Sequence, residues 1–98
     1  MEIFITERAK IGLEHLPPAE KKKAQRLLDI LPDFPNSESL KGKIRKASPI
    51  NEATFYIGRI GTSYRLLFRI ENQNIEVFEV VHHDRLKRFL NWNEGGIR

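Results

Sequence analysis

Arginine recurs in this chain where a β-sheet has no use for it. The run Arg59-Ile-Gly-Thr-Ser-Tyr64-Arg65-Leu-Leu-Phe-Arg69-Ile places three guanidiniums in two β-rich segments, and the next such segment, Ile75 to Val81, ends in His82-His83-Asp84-Arg85. Arginine is costly to hold on a packed sheet without an anionic partner. A sheet furnished this way is built to meet an anion. Between Lys41 and Arg69 the cations are Lys41, Lys43, Arg45, Lys46, Arg59, Arg65 and Arg69, against the single acid Glu52. That imbalance is the electrostatic footprint expected for a polyanionic partner such as nucleic acid. The Lys21-Lys22-Lys23 run reads instead as a solvated face.

The histidines add acid–base capacity. An unperturbed imidazole titrates near about pH 6.5, so it can accept a hydroxyl proton or return one close to neutrality. Adjacent strand residues point to opposite faces, so one of His82 and His83 is expected on the cationic face, and the pair is not expected to share a metal ion. Tyr64 alternates with Leu66 and Phe68 and reads as core, which leaves Tyr56 as the aromatic for stacking on a base. There is no cysteine, so disulfides, thiolate zinc sites and cysteine nucleophiles are excluded. No Ser-His-Asp arrangement, no paired acids on one face and no glycine-rich phosphate loop before a helix appears. Neither metal nor cofactor is expected, and acyl-enzyme and nucleotide-hydrolysing chemistries find no residues to carry them.

The elements that must position these groups are legible. Ile3 to Ile5 is a short strand candidate, and Thr6 can cap a following helix whose Glu7 suits the N-terminal dipole and whose Ala9, Leu13 and Leu16 share a face. Pro17-Pro18 stops it, with the second proline well placed to open another helix. In that helix Ala24, Leu27, Leu28 and Leu31 form the apolar stripe, so the two helices are expected to form an antiparallel hairpin. Pro32 and Pro35 end it, and Asp33 to Gly42 reads as a loop. Phe55 to Ile60 and Tyr64 to Ile70 read as strands joined by Gly61-Thr62-Ser63. In the second of these Tyr64, Leu66, Phe68 and Ile70 give one apolar face, which should receive the helices, while Arg65 and Arg69 mark the other. A turn at Asn72-Gln73-Asn74 leads into Ile75 to Val81. Lys41, Lys43, Arg45 and Lys46 read as a flexible approach to the sheet, able to track a phosphate backbone without sequence preference.

Ninety-eight residues suit one domain spanning 1–98. An apolar content of 40% against 31% charged residues is a globular balance, so disorder is not expected. The apolar runs are too short to span a bilayer, and Met1-Glu-Ile-Phe-Ile has neither a basic leader nor a secretory cleavage pattern. A cytoplasmic protein without membrane contact is expected.

This order of elements, with Ala9-x-x-x-Leu13-x-x-Leu16-Pro17, Leu40-Lys-Gly42, Tyr64-Arg-Leu-Leu-Phe68 and Val80-Val-His-His-Asp-Arg85, resembles the RelE/ParE superfamily of toxins from type II toxin–antitoxin modules. The likeness runs from about Ile3 to Phe89. It implies an α+β fold, two N-terminal helices on a mostly antiparallel sheet of about four strands, and neutralisation by a small antitoxin protein. RelE-like members cleave mRNA, usually on the ribosome, whereas ParE-like members poison DNA gyrase without cutting nucleic acid. By resemblance Arg65 and Arg85 match the arginines placed over the scissile phosphate, with Arg59 and Arg69 in support and His82 or His83 as proton carrier. Fixed guanidiniums stabilise the charge that gathers on phosphoryl oxygens when a 2′-OH attacks, without needing a metal. The sequence departs from RelE in having Tyr56 and Gly58 where RelE has a lysine pair, and Phe89 as the aromatic nearest to RelE's C-terminal tyrosine.

Overall fold

The computed structural model describes residues 1–34, 36, 38–40, 42–48 and 53–86. Lys41 and the C-terminal segment holding Phe89 and Trp92 lie outside the described residues. Chain order is β1 (Ile3–Ile5), α1 (Glu7–Glu14), α2 (Pro18–Ile30), two 3-10 turns at Leu31–Asp33 and Glu38–Leu40, β2 (Ile44–Ala47), β3 (Phe55–Ile60), β4 (Tyr64–Glu71) and β5 (Asn74–His82). The architecture is α+β, with both helices N-terminal, as expected.

Local chemistry sets the helix boundaries. Thr6 holds an extended backbone and its Oγ1 accepts the Ala9 N–H at 3.2 Å, a cap worth about 1 kcal/mol. Pro18 opens α2, where a missing N–H costs nothing. From α1 Ala9 is buried, from α2 Ala24 and Leu27; just past the helices Leu16 and Leu31 join them. These side chains meet Leu66 and Phe68 of β4 and Ile75, Val77 and Val80 of β5 in the main core, so the apolar face of β4 does receive the helices. Two glycines allow the close approach. A Cβ on Gly12 would sit 3.0 Å from the Val80 Cβ, and one on Gly58 3.0 Å from Leu27 Cδ2.

The sheet has five strands rather than about four, in the order β1-β5-β4-β3-β2. The additional strand is β2, antiparallel to β3 with Arg45 opposite Ile57 and Lys46 opposite Tyr56. Arg45 and Lys46 therefore sit in a paired edge strand and not in a flexible approach. Pairing with β3 supplies the order that a four-residue segment carrying two cations lacks on its own. β1 runs parallel to β5 and every other pair is antiparallel. The β4–β5 hairpin turns on Asn72 and Gln73 alone, both at positive φ (50° and 66°), with Asn74 already in β5. Two successive left-handed residues are the signature of the tight hairpin turn whose twist matches the strands.

The face of the sheet away from the helices is not purely cationic. Ala47, Phe55, Ile57, Leu67 and Leu86 are buried there, with Phe78 and Val81 packed against them. β4 and β5 shift register between Leu67 and Phe68, Leu67 pairing Glu79 while Phe68 pairs Val77, which brings Val81 onto this second cluster. The extra residue of this bulge reverses the alternation of β5. Val80 thereby keeps to the helix side, and Glu79 and Val81 turn to the open face. No helix among the described residues is long and apolar enough to cross a membrane.

Candidate functional site

The cations converge at one end of the open face. Arg59 pairs with Arg65 in register across β3 and β4, and Arg45 lies one strand further out, opposite Ile57. Lys43, Arg45, Arg59 and Arg65 line a recess of about 120 Å³ with Gly42, Ile57 and Leu86. Arg65 is half-buried; its Nη1 donates to the Tyr64 carbonyl oxygen at 2.7 Å and to that of Thr62 at 3.4 Å. Burial, then Arg59 and Arg45, pull its guanidinium below the ordinary arginine pKa. These charges repel one another, and no carboxylate among the described residues pairs with Arg45, Arg59 or Arg65. An arriving anion relieves that repulsion.

Arg85 reaches the adjoining space. It lines a recess of about 450 Å³ with Arg8, Arg69 and Glu79 at the rim and Phe55, Leu67, Phe78, Val81 and Leu86 as walls. Leu86 borders both recesses, so Arg65 and Arg85 flank one apolar floor. Arg85 is exposed and makes no ion pair with a described residue, because Asp84 turns to the histidines instead. Arg69, expected as phosphate support, is already engaged. Its Nη1 stands 3.6 Å from Glu76 Oε1 and its Cζ 4.2 Å above the Phe78 ring centroid, which makes it a brace across β4 and β5.

Tyr56 is not on this face. Its partner in register is Phe68, so its ring points to the helix side, stacked on Phe68 at 5.3 Å and edge-on to Phe34 at 5.2 Å. The base-stacking role expected of it is corrected to packing. Lys46 shares that side at the sheet edge.

His82 and His83 do not project to opposite faces. β5 ends at His82 and residues 83–86 wind into a helical turn, so strand alternation stops between the two, and their ring centroids lie 4.9 Å apart. Asp84 joins them: its Oδ1 is 2.9 Å from His83 Nε2, and its backbone N–H donates to His82 Nδ1 at 3.1 Å. His82 also meets Tyr64 edge-on at 5.3 Å. The His83 N–H donates to the Ser63 carbonyl at 2.7 Å, which ties the cluster to the same turn that holds the Arg65 guanidinium. His82, His83 and Asp84 offer ligand atoms within 4.8 Å of one another, so these three residues are the group able to hold a metal ion among those described. The reasoning that adjacent histidines cannot share an ion fails here for the same geometric reason. His15 stands apart as the C-cap of α1, with Nδ1 2.8 Å from the Ile11 carbonyl oxygen.

The hydrogen-bond pattern gives the two imidazoles different roles. His82 Nδ1 accepts from a backbone N–H, which puts the proton of the neutral ring on Nε2. His83 Nε2–H points at a carboxylate, which leaves Nδ1 as the free acceptor. A larger, open depression of about 1050 Å³ lies at the Asn72-Gln73 turn with Pro32, Asp33 and Phe34. Its described lining includes neither Lys nor Arg but does include Glu2 and Asp33, so its charge does not favour a phosphate.

Sequence reasoning missed Arg8, whose Nε meets Glu79 Oε2 at 2.9 Å, and the apolar floor of Phe55, Leu67, Phe78 and Leu86. Arg8 carries no local signal, since its contact with Glu79 depends on the β5 bulge and on where α1 crosses the sheet. Phe55 and Leu67 share the face of Arg59 and Arg65 by the alternation of β3 and β4, which is the signal that could have found the floor.

The sequence matches no protein-family model and no curated protein. The fold does have relatives among solved structures. An archaeal RelE from Pyrococcus horikoshii OT3, in complex with RelB, superposes with a TM-score of 0.66 at 20% identity over 86% of this chain and 96% of its own. The chain has the RelE/ParE-like toxin fold. A YoeB/ParE toxin from Agrobacterium tumefaciens gives a TM-score of 0.69 at 20% identity, covering 85% of this chain and 99% of that one. The RelE of Methanococcus jannaschii, again with RelB, gives 0.68 at 18% identity, with 86% and 94% covered. On this RelE-like fold the cationic end described above lies at the junction of β3, β4 and the turn after β5.

Proposed function

We propose that this chain is the toxin of a type II toxin–antitoxin module and acts as an endoribonuclease on mRNA at the ribosome. The observation that carries the reading is the group of guanidiniums of Arg45, Arg59, Arg65 and Arg85 around one apolar floor, none of them paired with a carboxylate among the described residues. Such a group binds phosphate and stabilises the charge that develops on it. Solved proteins of the same fold include toxins; that from Methanococcus jannaschii is in an antitoxin–toxin complex and that from Pyrococcus horikoshii in a complex with RelB, which supports a small protein partner here.

In this reading Arg65 and Arg85 clamp the scissile phosphate, with Lys43, Arg45 and Arg59 holding the flanking backbone. Arg69 supports the site indirectly by bracing β4 against β5. His83 Nδ1 accepts the 2′-OH proton while Asp84 steadies the ring through Nε2–H. The alkoxide attacks the adjacent phosphorus, the bond to the 5′-oxygen breaks, and the leaving oxygen takes the proton back from the His83 imidazolium or from water, with His82 Nε2–H as a hydrogen-bond donor to the phosphate. The chemistry needs no metal, and EDTA leaves it intact.

Induction in a bacterium with mapping of transcript ends tests the reading. The expected result is growth arrest, rescue by the cognate antitoxin, and new ends within ribosome-bound messages. Arrest without new ends favours the second reading, a ParE-like poison of DNA gyrase whose basic face binds only its target or its antitoxin.

A further inference from the structure

The row of cations extends beyond the site just described. Lys23 and Arg26 of α2, Lys43 just before β2 and Arg59 near the end of β3 border a cleft of about 360 Å³ floored by Leu27, Ile30 and Leu40. Three separate stretches of chain bring these charges together, so the group belongs to the fold and not to a lysine-rich run. Counter-charge is scarce. Lys23 Nζ reaches Glu20 Oε1 at 3.4 Å, while Arg26, Lys43 and Arg59 form no ion pair with a described residue. A surface evolved only for solubility interleaves the two signs; here the cations stand in series.

The series is continuous with the candidate site. Lys43 and Arg59 border this cleft and also the recess that holds Arg45 and Arg65. A path of positive charge thus leads from Arg65 past the end of the sheet and onto the exposed face of α2. Cations strung along a groove from a phosphate site match the phosphates of a continuing strand. An acidic peptide matches the charge, but nothing in its chemistry requires the path to start at Arg65.

We propose that the cleft of Lys23, Arg26, Lys43 and Arg59 is a second phosphate-binding site, through which an RNA strand engaged at Arg65 continues around the sheet onto α2. The proposal rests on the RNA-binding reading of the open face and adds to it the route of the strand and two residues, Lys23 and Arg26. Both side chains are exposed, so neutralising them does not threaten the fold.

The test is fluorescence anisotropy with single-stranded, 2′-O-methylated RNA, which cannot be cleaved, for the wild type and a Lys23→Gln/Arg26→Gln variant across a salt series. A dodecamer is expected to bind the variant about tenfold more weakly, with a log–log salt slope shallower by about 1.4, two contacts at about 0.7 each. A trinucleotide, too short to leave the Arg65 end, is expected to bind both proteins equally, and Arg65→Ala is expected to weaken both probes. Restoring charge with Lys23→Arg/Arg26→Lys should restore dodecamer affinity and slope. An unchanged dodecamer slope overturns the proposal, as does equal weakening of the trinucleotide, because the charges then act at a distance and not as a path. Polyglutamate binding that depends on Lys23 and Arg26, with no RNA binding, assigns the cleft to an acidic peptide and overturns it too. Intact length-dependent binding without cleavage on ribosomes sinks the nuclease reading alone and leaves the cleft assignment standing.

Discussion

Replacing Arg65 by Ala separates chemistry from folding, and the structure gives the size of both effects. On the folding side two terms oppose. The 2.7 Å bond from Nη1 to the Tyr64 carbonyl is lost, and a hydrogen bond from a charged donor contributes about 1.5–3 kcal/mol. Here that carbonyl belongs to the preceding residue on a part-exposed strand end, where water replaces the donor, so the low end applies. Against it, removing the guanidinium ends its burial and its repulsion by Arg59 and Arg45, the causes of its lowered pKa. The net change is expected to stay within about 1 kcal/mol, a shift of about 4–8 °C at most for a domain of this size. Phe68→Ala is the contrast. Phe68 is fully buried between the Tyr56 and Phe34 rings, and its truncation should cost about 3–5 kcal/mol.

On the chemical side, loss of one positioned donor to developing negative charge costs about a hundredfold to a thousandfold in turnover. Arg65→Lys keeps the charge but not the planar fork, so it should recover only part of the rate. Single-turnover cleavage and thermal denaturation on the same preparations decide the matter. If Arg65→Ala melts as low as Phe68→Ala, the side chain is structural and its assignment as a clamp is wrong. If the variant folds and cleaves like the wild type, the phosphate sits elsewhere.

The histidines make a second prediction. His83→Gln should reduce cleavage far more than His82→Gln, because the base takes the proton while His82 only donates a hydrogen bond, and single-turnover cleavage by the two variants checks this; full activity in the double variant eliminates imidazole from the reaction. A third concerns the hairpin. Gln73→Gly should raise stability by about 0.5–1 kcal/mol, since Gln73 holds φ 66°, where glycine bears no Cβ penalty; a fall in the denaturation midpoint would show that the Gln73 side chain contributes more than its backbone costs.

What could be read in the sequence was what neighbouring residues decide among themselves. Thr6 caps because its oxygen lies three residues from the N–H it accepts, Pro18 opens a helix because proline's constraints are its own, and the alternation of β4 is carried by its own side chains. The failures share another cause. β2 is a strand because β3 lies beside it, and the segment Ile44-Arg-Lys-Ala47 shows little of that by itself. Tyr56 looked available for a base until its pairing with Phe68 fixed which side it faces. Lys23 looked like one of three solvated lysines until the fold set it across a cleft from Lys43 and Arg59.

The end of β5 shows why the functional centre was the least legible part. One bulged residue between Val77 and Val80 decides whether Glu79 or Val80 enters the core, and so whether the residues after it count from one face or the other. The strand's stop at His82 then decides whether two histidines diverge or meet. Both are single-residue events, and a one-residue error in either turns each downstream side chain to the wrong side of the sheet. Asp84 is where they are resolved together: its Oδ1 meets His83 Nε2 and its backbone N–H donates to His82 Nδ1, so Asp84 is turned to the histidines, and Arg85 forms no ion pair with a described residue.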